Sequence, residues 1–190
     1  MWISVYNFKG GEGKSKISIN LALTMKFAIV TNDVYSPIDD IFSEDKFLKM
    51  HPNEEMPDFS LNDNIIFDFG GYPDQRTIKA LRKSKVVIVP ITNEEDNIQV
   101  GIHTIDEIQK YNTNIIIIAN KTEKGDFESI KSDLEKIYKY PILEIKKSTA
   151  VKRLKYGQSI KEMSKKGLWS FHYSKISEQF DDLIRLIQSK

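Results

Sequence analysis

Short apolar runs alternate along this chain with longer stretches in which apolar residues recur every three or four positions. The runs are Ile3-Ser4-Val5-Tyr6-Asn7-Phe8, Phe27-Ala28-Ile29-Val30, Ile65-Ile66-Phe67, Val86-Val87-Ile88-Val89 and Ile115-Ile116-Ile117-Ile118. Unbroken apolar character over about four residues is what a strand covered on both faces requires, so the last four runs predict strands of a parallel sheet, while the first, interrupted by Ser4 and Asn7, reads as a strand entering the loop that follows it. Between them the period is helical. Ile17, Leu21 and Met25 fall on one helical face, as do Ile98, Ile102 and Ile105, and again Phe127, Ile130, Leu134 and Ile137. This βαβ alternation predicts an α/β fold, a doubly wound, mostly parallel sheet flanked by helices. With 190 residues, 40% of them hydrophobic, the chain supports one sizeable core, and a single domain over residues 1–190 is expected.

Ligands of such sheets gather beyond the carboxyl ends of the strands, which directs attention to the residues just after each run. Lys9-Gly10-Gly11-Glu12-Gly13-Lys14-Ser15 follows the first run and precedes the first helical period. Glycines let successive backbone N–H groups turn inward around an anion, and the following helix presents its unpaired N–H groups and positive dipole end to the same place. The segment therefore predicts a phosphate cradle, in which Lys14 reaches the β- and γ-phosphates and the Ser15 hydroxyl sits on Mg²⁺. The ordinary G-x-x-x-x-G-K-S/T pattern is broken, because Phe8 stands where its first glycine belongs, and Lys9 is surplus to it.

This K-G-G-x-G-K-S form resembles the deviant Walker A motif of the ParA/MinD family of dimerising P-loop ATPases. The resemblance implies bound ATP and Mg²⁺, with the cofactor held by Lys9, Gly10, Gly11, Glu12, Gly13, Lys14, Ser15 and Lys16. It also implies an ATP-dependent homodimer in which Lys9 reaches the partner's phosphates, so that Lys9 and Lys14 are both catalytic. Thr31-Asn32-Asp33 stands where the family has D-x-D-P-Q; Asp33 aligns with the second aspartate, which helps position the attacking water, while Thr31, Val34 and Tyr35 depart from the motif. The plainer alternative for Asp33 is a turn or cap residue.

Asp68-Phe69-Gly70-Gly71 has the setting of a Walker B aspartate, which makes Asp68 a metal-site residue, although the family more often has a D-x-P/A-G-like sequence there. Val89-Pro90 resembles the family's V-P segment and is equally well read as a strand stop. Asn120 falls where the family often places an asparagine on adenine, and its amide offers both donor and acceptor. Ile145 to Ile160, with Gly157-Gln158-Ser159, resembles the stretch that precedes a family helix. Without a helix-turn-helix extension ahead of the first strand, the chain resembles the short ParA-type partition ATPases. Glu12, and Lys16 where the family commonly has Thr or Ser, are departures without a sequence explanation.

Composition narrows the setting. The absence of cysteine excludes disulfides and thiolate metal sites, and the cytoplasm is the expected compartment. No stretch reaches the ~18 apolar residues of a membrane span, and the segment before the loop reads as a strand, not a signal peptide. Net charge is only +1, yet residues 146–175 hold nine Lys/Arg against one acid, Glu162, while Ser36 to Asn64 is acidic. Lys152, Arg153, Lys155, Lys161, Lys165 and Lys166 are candidates for non-specific, salt-sensitive binding of DNA, with a solvated lysine-rich face as the alternative.

The resemblance accordingly implies a nucleoid-associated ATPase that hydrolyses ATP slowly. A ParB-like or other adaptor would stimulate it, and it would segregate or position a plasmid, chromosome or other cargo. Three other readings compete. Tyr173, Ile176, Phe180, Leu183, Ile184 and Ile187 form an apolar helical face, which in a MinD-like switch could meet a membrane, but the polar face mixes acids with bases and core packing is expected. Trp169 and Phe171, like Tyr173, are expected in a core or interface. A monomeric signalling GTPase would explain Asp68-x-x-Gly71 and Asn120-Lys121, but Glu123 stands where its guanine-reading aspartate belongs. A scaffold that hydrolyses little is the third.

Overall fold

The computed structural model describes every residue except 166 and 168, and of Trp169 only the backbone. Seven strands form one all-parallel sheet: β1 (Trp2–Asn7), β2 (Ala28–Thr31), β3 (Phe47–Lys49), β4 (Ile65–Gly70), β5 (Val86–Ile91), β6 (Ile115–Thr122) and β7 (Ile142–Lys146). Their order is β3-β2-β4-β1-β5-β6-β7. The helices are α1 (Lys14–Met25), α2 (Gln75–Lys83), α3 (Glu95–Ile108), α4 (Asp126–Glu135), the short α5 (Ala150–Arg153) and α6 (Ile160–Met163), and α7 (Trp169–Ser189).

The pleat explains the apolar runs. Ile3 and Val5, Val86 and Ile88, Ile116 and Ile118 point to one side, where they pack with Ile17 and Leu21 of α1 and Ile176, Phe180, Leu183 and Ile187 of α7. Their neighbours Trp2 and Tyr6, Val87 and Val89, Ile115 and Ile117 point to the other, against Leu81 of α2, Ile105 and Ile108 of α3, and Ile130 and Leu134 of α4. Every second residue of each central strand serves a different core, so both faces must be apolar. The α7 face is consumed in packing, which places Tyr173 and Phe180 at 3% exposure.

Several expectations need correction. The fourth predicted strand does not stop at Val89-Pro90, because β5 continues to Ile91. Pro90 is tolerated there because pairing with β1 runs only to Val5 opposite Ile88, so its missing N–H is not needed on that side. Ile137 lies beyond α4 and is 54% exposed, and Phe171, expected in a core or an interface, is 87% exposed and so not in the core. The edge strand β3 was not expected; its three residues sit among charges and are only half-buried. Among the described residues no helix is long and apolar enough to cross a membrane.

Candidate functional site

β1 delivers the chain to the centre of the sheet's carboxyl edge, and the loop of residues 8–13 carries it into α1. Gly11 and Gly13 adopt φ of 86° and 88°, a region that side chains resist, and Gly13 is the N-cap of α1 with no side-chain capping bond. The head of α1 is thus left for an external anion.

The loop is anchored from four directions. Asn7, fully buried, donates through Nδ2 to the Pro90 carbonyl (2.9 Å) and accepts the Lys9 N–H at Oδ1 (2.9 Å). Glu12 Oε2 accepts the Thr92 N–H (2.8 Å) and hydroxyl (3.0 Å). Asn120 Nδ2 donates to the Glu12 carbonyl (2.6 Å), and the Lys121 ammonium donates to the Gly11 carbonyl. A β-bulge between Asn120 and Thr122 and the left-handed φ of Lys121 (56°) bend the end of β6 so that both side chains meet the loop. Asn120, the residue expected at a base edge, therefore has its NH₂ committed to the loop itself.

Lys14 lies against Gly70, close enough that a Cβ there would stand 2.9 Å from its Cε, and it donates to the Lys9 carbonyl (2.8 Å). Burial lowers its pKa from the ordinary lysine value, against the opposing pull of Asp68, Glu12 and Asp33. One turn into α1, Ser18 donates to Asp68 Oδ1 (3.1 Å), and Ser15, at the start of the same helix, lies near enough to help hold the pKa of this carboxyl down. Asp68 is 3% exposed, and its second oxygen, Oδ2, is buried without a hydrogen-bond partner among the described residues. Burial pushes the Asp68 pKa up, opposed by the nearby Ser15 and Ser18 hydroxyls and by Lys14. An unpartnered carboxylate oxygen beside a serine hydroxyl, at the head of a phosphate loop, suits a hard divalent cation that keeps most of its water. Among the described residues no cluster of three or more His, Cys, Asp or Glu could hold a metal by itself.

Beside this pair, Thr31 donates to the Asp68 carbonyl (3.0 Å) and accepts the Asp33 N–H (3.1 Å). Asp33 is exposed and accepts the Tyr35 N–H (3.1 Å), the turn that the plainer reading expects, while its charge is felt by both Lys14 and Asp68. Cavities flank the loop. One of about 220 Å³, mostly apolar, lies between Gly13, Lys16, Ile17 and Asn120 on one side and Ile145, Ser148 and Val151 on the other. Another, about 870 Å³, runs between Phe8, Lys9 and Tyr72 and the outer face of α3 at Val100, His103 and Glu107.

The basic segment sits around α5 and α6. Lys152, Lys155 and Lys165 are exposed, Arg153 is half-buried, Lys161 is paired with Asp181 (2.8 Å), and Lys166 lies outside the described residues. Sequence reading missed Asn7, Ser18, Thr92 and Lys121 as parts of the site. Ser18 was findable, being three residues beyond Ser15 on the face of α1 that meets β4.

The architecture is shared with known proteins. Apo McdA from Cyanothece superposes with a TM-score of 0.68 at 14% identity, covering 98% of this chain and 99% of its own. MinD from Pyrococcus horikoshii, complexed with Mg-ADP, gives 0.63 at 15% identity with 97% of each chain covered. A ParA family ATPase from Chlorobium tepidum gives 0.57 at 18% identity, covering 95% of this chain and 97% of its own. At these identities the likeness establishes the fold. No curated protein matches by sequence. The family model for the CobQ/CobB/MinD/ParA nucleotide binding domain matches residues 3–160, the span that contains the loop, Asp33, Asp68 and Asn120, and the chain belongs to that family.

Proposed function

We propose that this chain acts as a single-domain, ParA-like ATPase that binds MgATP, dimerises, holds DNA without sequence preference and hydrolyses ATP slowly to position a cargo. The observation that carries the reading is the uncapped head of α1, with Lys14 beside it and the unpartnered Asp68 Oδ2 behind Ser15. The loop amides and Lys14 would hold the phosphates and oppose the charge that develops on the transferred group. Ser15 and Asp68 would hold Mg²⁺, which would supply positive charge to neutralise the phosphates. Asp33 would orient the attacking water, and the 220 Å³ cavity beside Asn120 would take the base. Lys9, at the rim of the large groove, is placed where a second copy could approach it.

The exposed Lys152, Lys155 and Lys165 support a DNA-facing surface, to which Lys161 contributes less because Asp181 already pairs with it. A stimulating adaptor of ParB-like kind and association with the nucleoid in the cytoplasm belong to the same reading. The buried apolar face of α7 argues against a membrane role for that helix. The test is binding to arbitrary duplex DNA with ATP, ADP or no nucleotide across a salt series, beside multiple-turnover phosphate release. ATP-dependent, salt-sensitive binding supports the reading. Binding indifferent to nucleotide, or none, removes DNA from it, and failure to release phosphate with DNA present leaves a nucleotide-dependent scaffold.

A further inference from the structure

Glu12 is a carboxylate inside a loop built for anions, and it is 1% exposed. Both of its side-chain bonds end on one oxygen, Oε2, and both come from Thr92, the first residue after β5. The Thr92 hydroxyl in turn accepts from Asn97 Nδ2 (2.5 Å), and Asn97, at 4% exposure, also donates to Glu94 Oε2 (3.0 Å) at the start of α3. From the opposite side, Asn120 holds the Glu12 carbonyl. The residue between the two left-handed glycines is therefore gripped by its main chain from β6 and by its side chain from β5. Apart from Asn97 Oδ1, which has no hydrogen-bond partner among the described residues, a buried network of this kind makes its bonds in one arrangement, so it carries positional information that an apolar residue would not.

We propose that Glu12 is a positioning residue of the phosphate loop, which by hanging the loop from Thr92 holds the Gly11 and Gly13 peptides in the orientation that receives phosphate. The inference rests on the nucleotide reading above. Glu12 touches no reacting atom and acts through the backbone on either side of it. Its negative charge opposes bound phosphate, so the strap and the charge work against each other and can be separated.

A glutamine at position 12 reproduces both Thr92 bonds through its single carbonyl oxygen and removes the charge, whereas alanine removes both. MgATP would be titrated calorimetrically into wild type, Glu12→Gln, Glu12→Ala, Thr92→Val and the Glu12→Ala/Thr92→Val double variant, with thermal melting to establish folding. Glu12→Gln is expected to bind at least as tightly as wild type. Glu12→Ala is expected to bind about tenfold more weakly than Glu12→Gln, the scale of the neutral hydrogen bonds from Thr92 that alanine removes. Thr92→Val weakens binding in the wild-type background and leaves the Glu12→Ala variant unchanged. Where Glu12→Ala does not fold, Glu12→Asp, one methylene too short for Thr92, takes its place. A gap below about fivefold between the Ala and Gln variants, or an equal cost of Thr92→Val in both backgrounds, overturns the strap. Wild type that binds no MgATP is a different result, which strikes the nucleotide reading itself.

Discussion

Asn32 faces Gly70 as one peptide group faces another in a ladder: its Nδ2 donates to the Gly70 carbonyl (3.0 Å) while its Oδ1 accepts the Gly70 N–H (3.2 Å). The pairing begins where the backbone ladder of β2 with β4 ends, one residue after Thr31 opposite Asp68. A side chain thus extends the sheet and ties the segment carrying Asp33 to the segment after Asp68. Asn32→Ala removes both bonds at a part-buried site and is expected to cost about 1–3 kcal/mol in urea unfolding. Amide exchange should rise at residues 70–74 before it rises in β1. Unchanged exchange there would show that Tyr6, which holds the Gly71 carbonyl at 2.6 Å, is sufficient alone.

Lys14 offers a separation of binding from stability. Its ammonium is desolvated, as its lowered pKa records, and donates to the Lys9 carbonyl. Lys14→Met keeps the length and removes the charge, so the ligand-free protein should melt within a few degrees of wild type. MgATP affinity should fall about a hundredfold, the scale of lost charge-assisted bonds to phosphate. Affinity left intact in calorimetry would mean that Lys14 does not reach the nucleotide.

Asp68 makes the opposite trade. Burial raises its pKa above the ordinary 3.8, so ionising it opposes folding. Below the unfolded value the group is neutral in both states and costs nothing. As pH rises from the unfolded value to the raised folded value the cost accrues, and above that it stays constant. Asp68→Asn lacks the cost, so its stability relative to wild type should grow with pH across this window and then level off. The same variant should lose Mg²⁺-dependent nucleotide binding, because the unpartnered Oδ2 is replaced by an amide. A stability difference independent of pH would contradict the ionisation.

Much of this was legible along the chain, for physical reasons that also explain the gaps. The five runs became β1, β2, β4, β5 and β6 because a strand buried on both faces is filled by apolar side chains, save where a polar one such as Asn7 or Asp68 finds a hydrogen-bond partner, and the glycine loop fell between β1 and α1 as its spacing required. The edge strand β3 is three residues long and only half-buried, so Phe47-Leu48-Lys49 leaves no apolar run to notice. Thr92 was invisible for another reason. Its partner Glu12 lies 80 residues away, and no local period reports a hydrogen bond across a sheet. Lys121 escaped because a register shift, not a pattern of types, turns it onto the loop. Phe171 shows the converse limit: an aromatic in an amphipathic helix can fall on the wet face, as this one does.

The loop glycines can be ranked without reference to any ligand. Gly10 has no positive φ and nothing within 4 Å of a built Cβ, so Gly10→Ala should change unfolding free energy by less than about 0.5 kcal/mol. Gly11 is equally open but sits at φ 86°, so alanine pays only backbone strain, about 1 kcal/mol. Gly13 combines φ 88° with a Cβ position 2.3 Å from Asn120 Nδ2, and that amide cannot retreat without releasing the Glu12 carbonyl. Gly13→Ala should therefore cost about 3 kcal/mol, strain and overpacking together. Urea unfolding of the three variants without nucleotide tests the series. If Gly13→Ala proved as mild as Gly11→Ala, Asn120 would not be pressed against the loop, and the anchoring of the phosphate cradle from β6 would have to be abandoned.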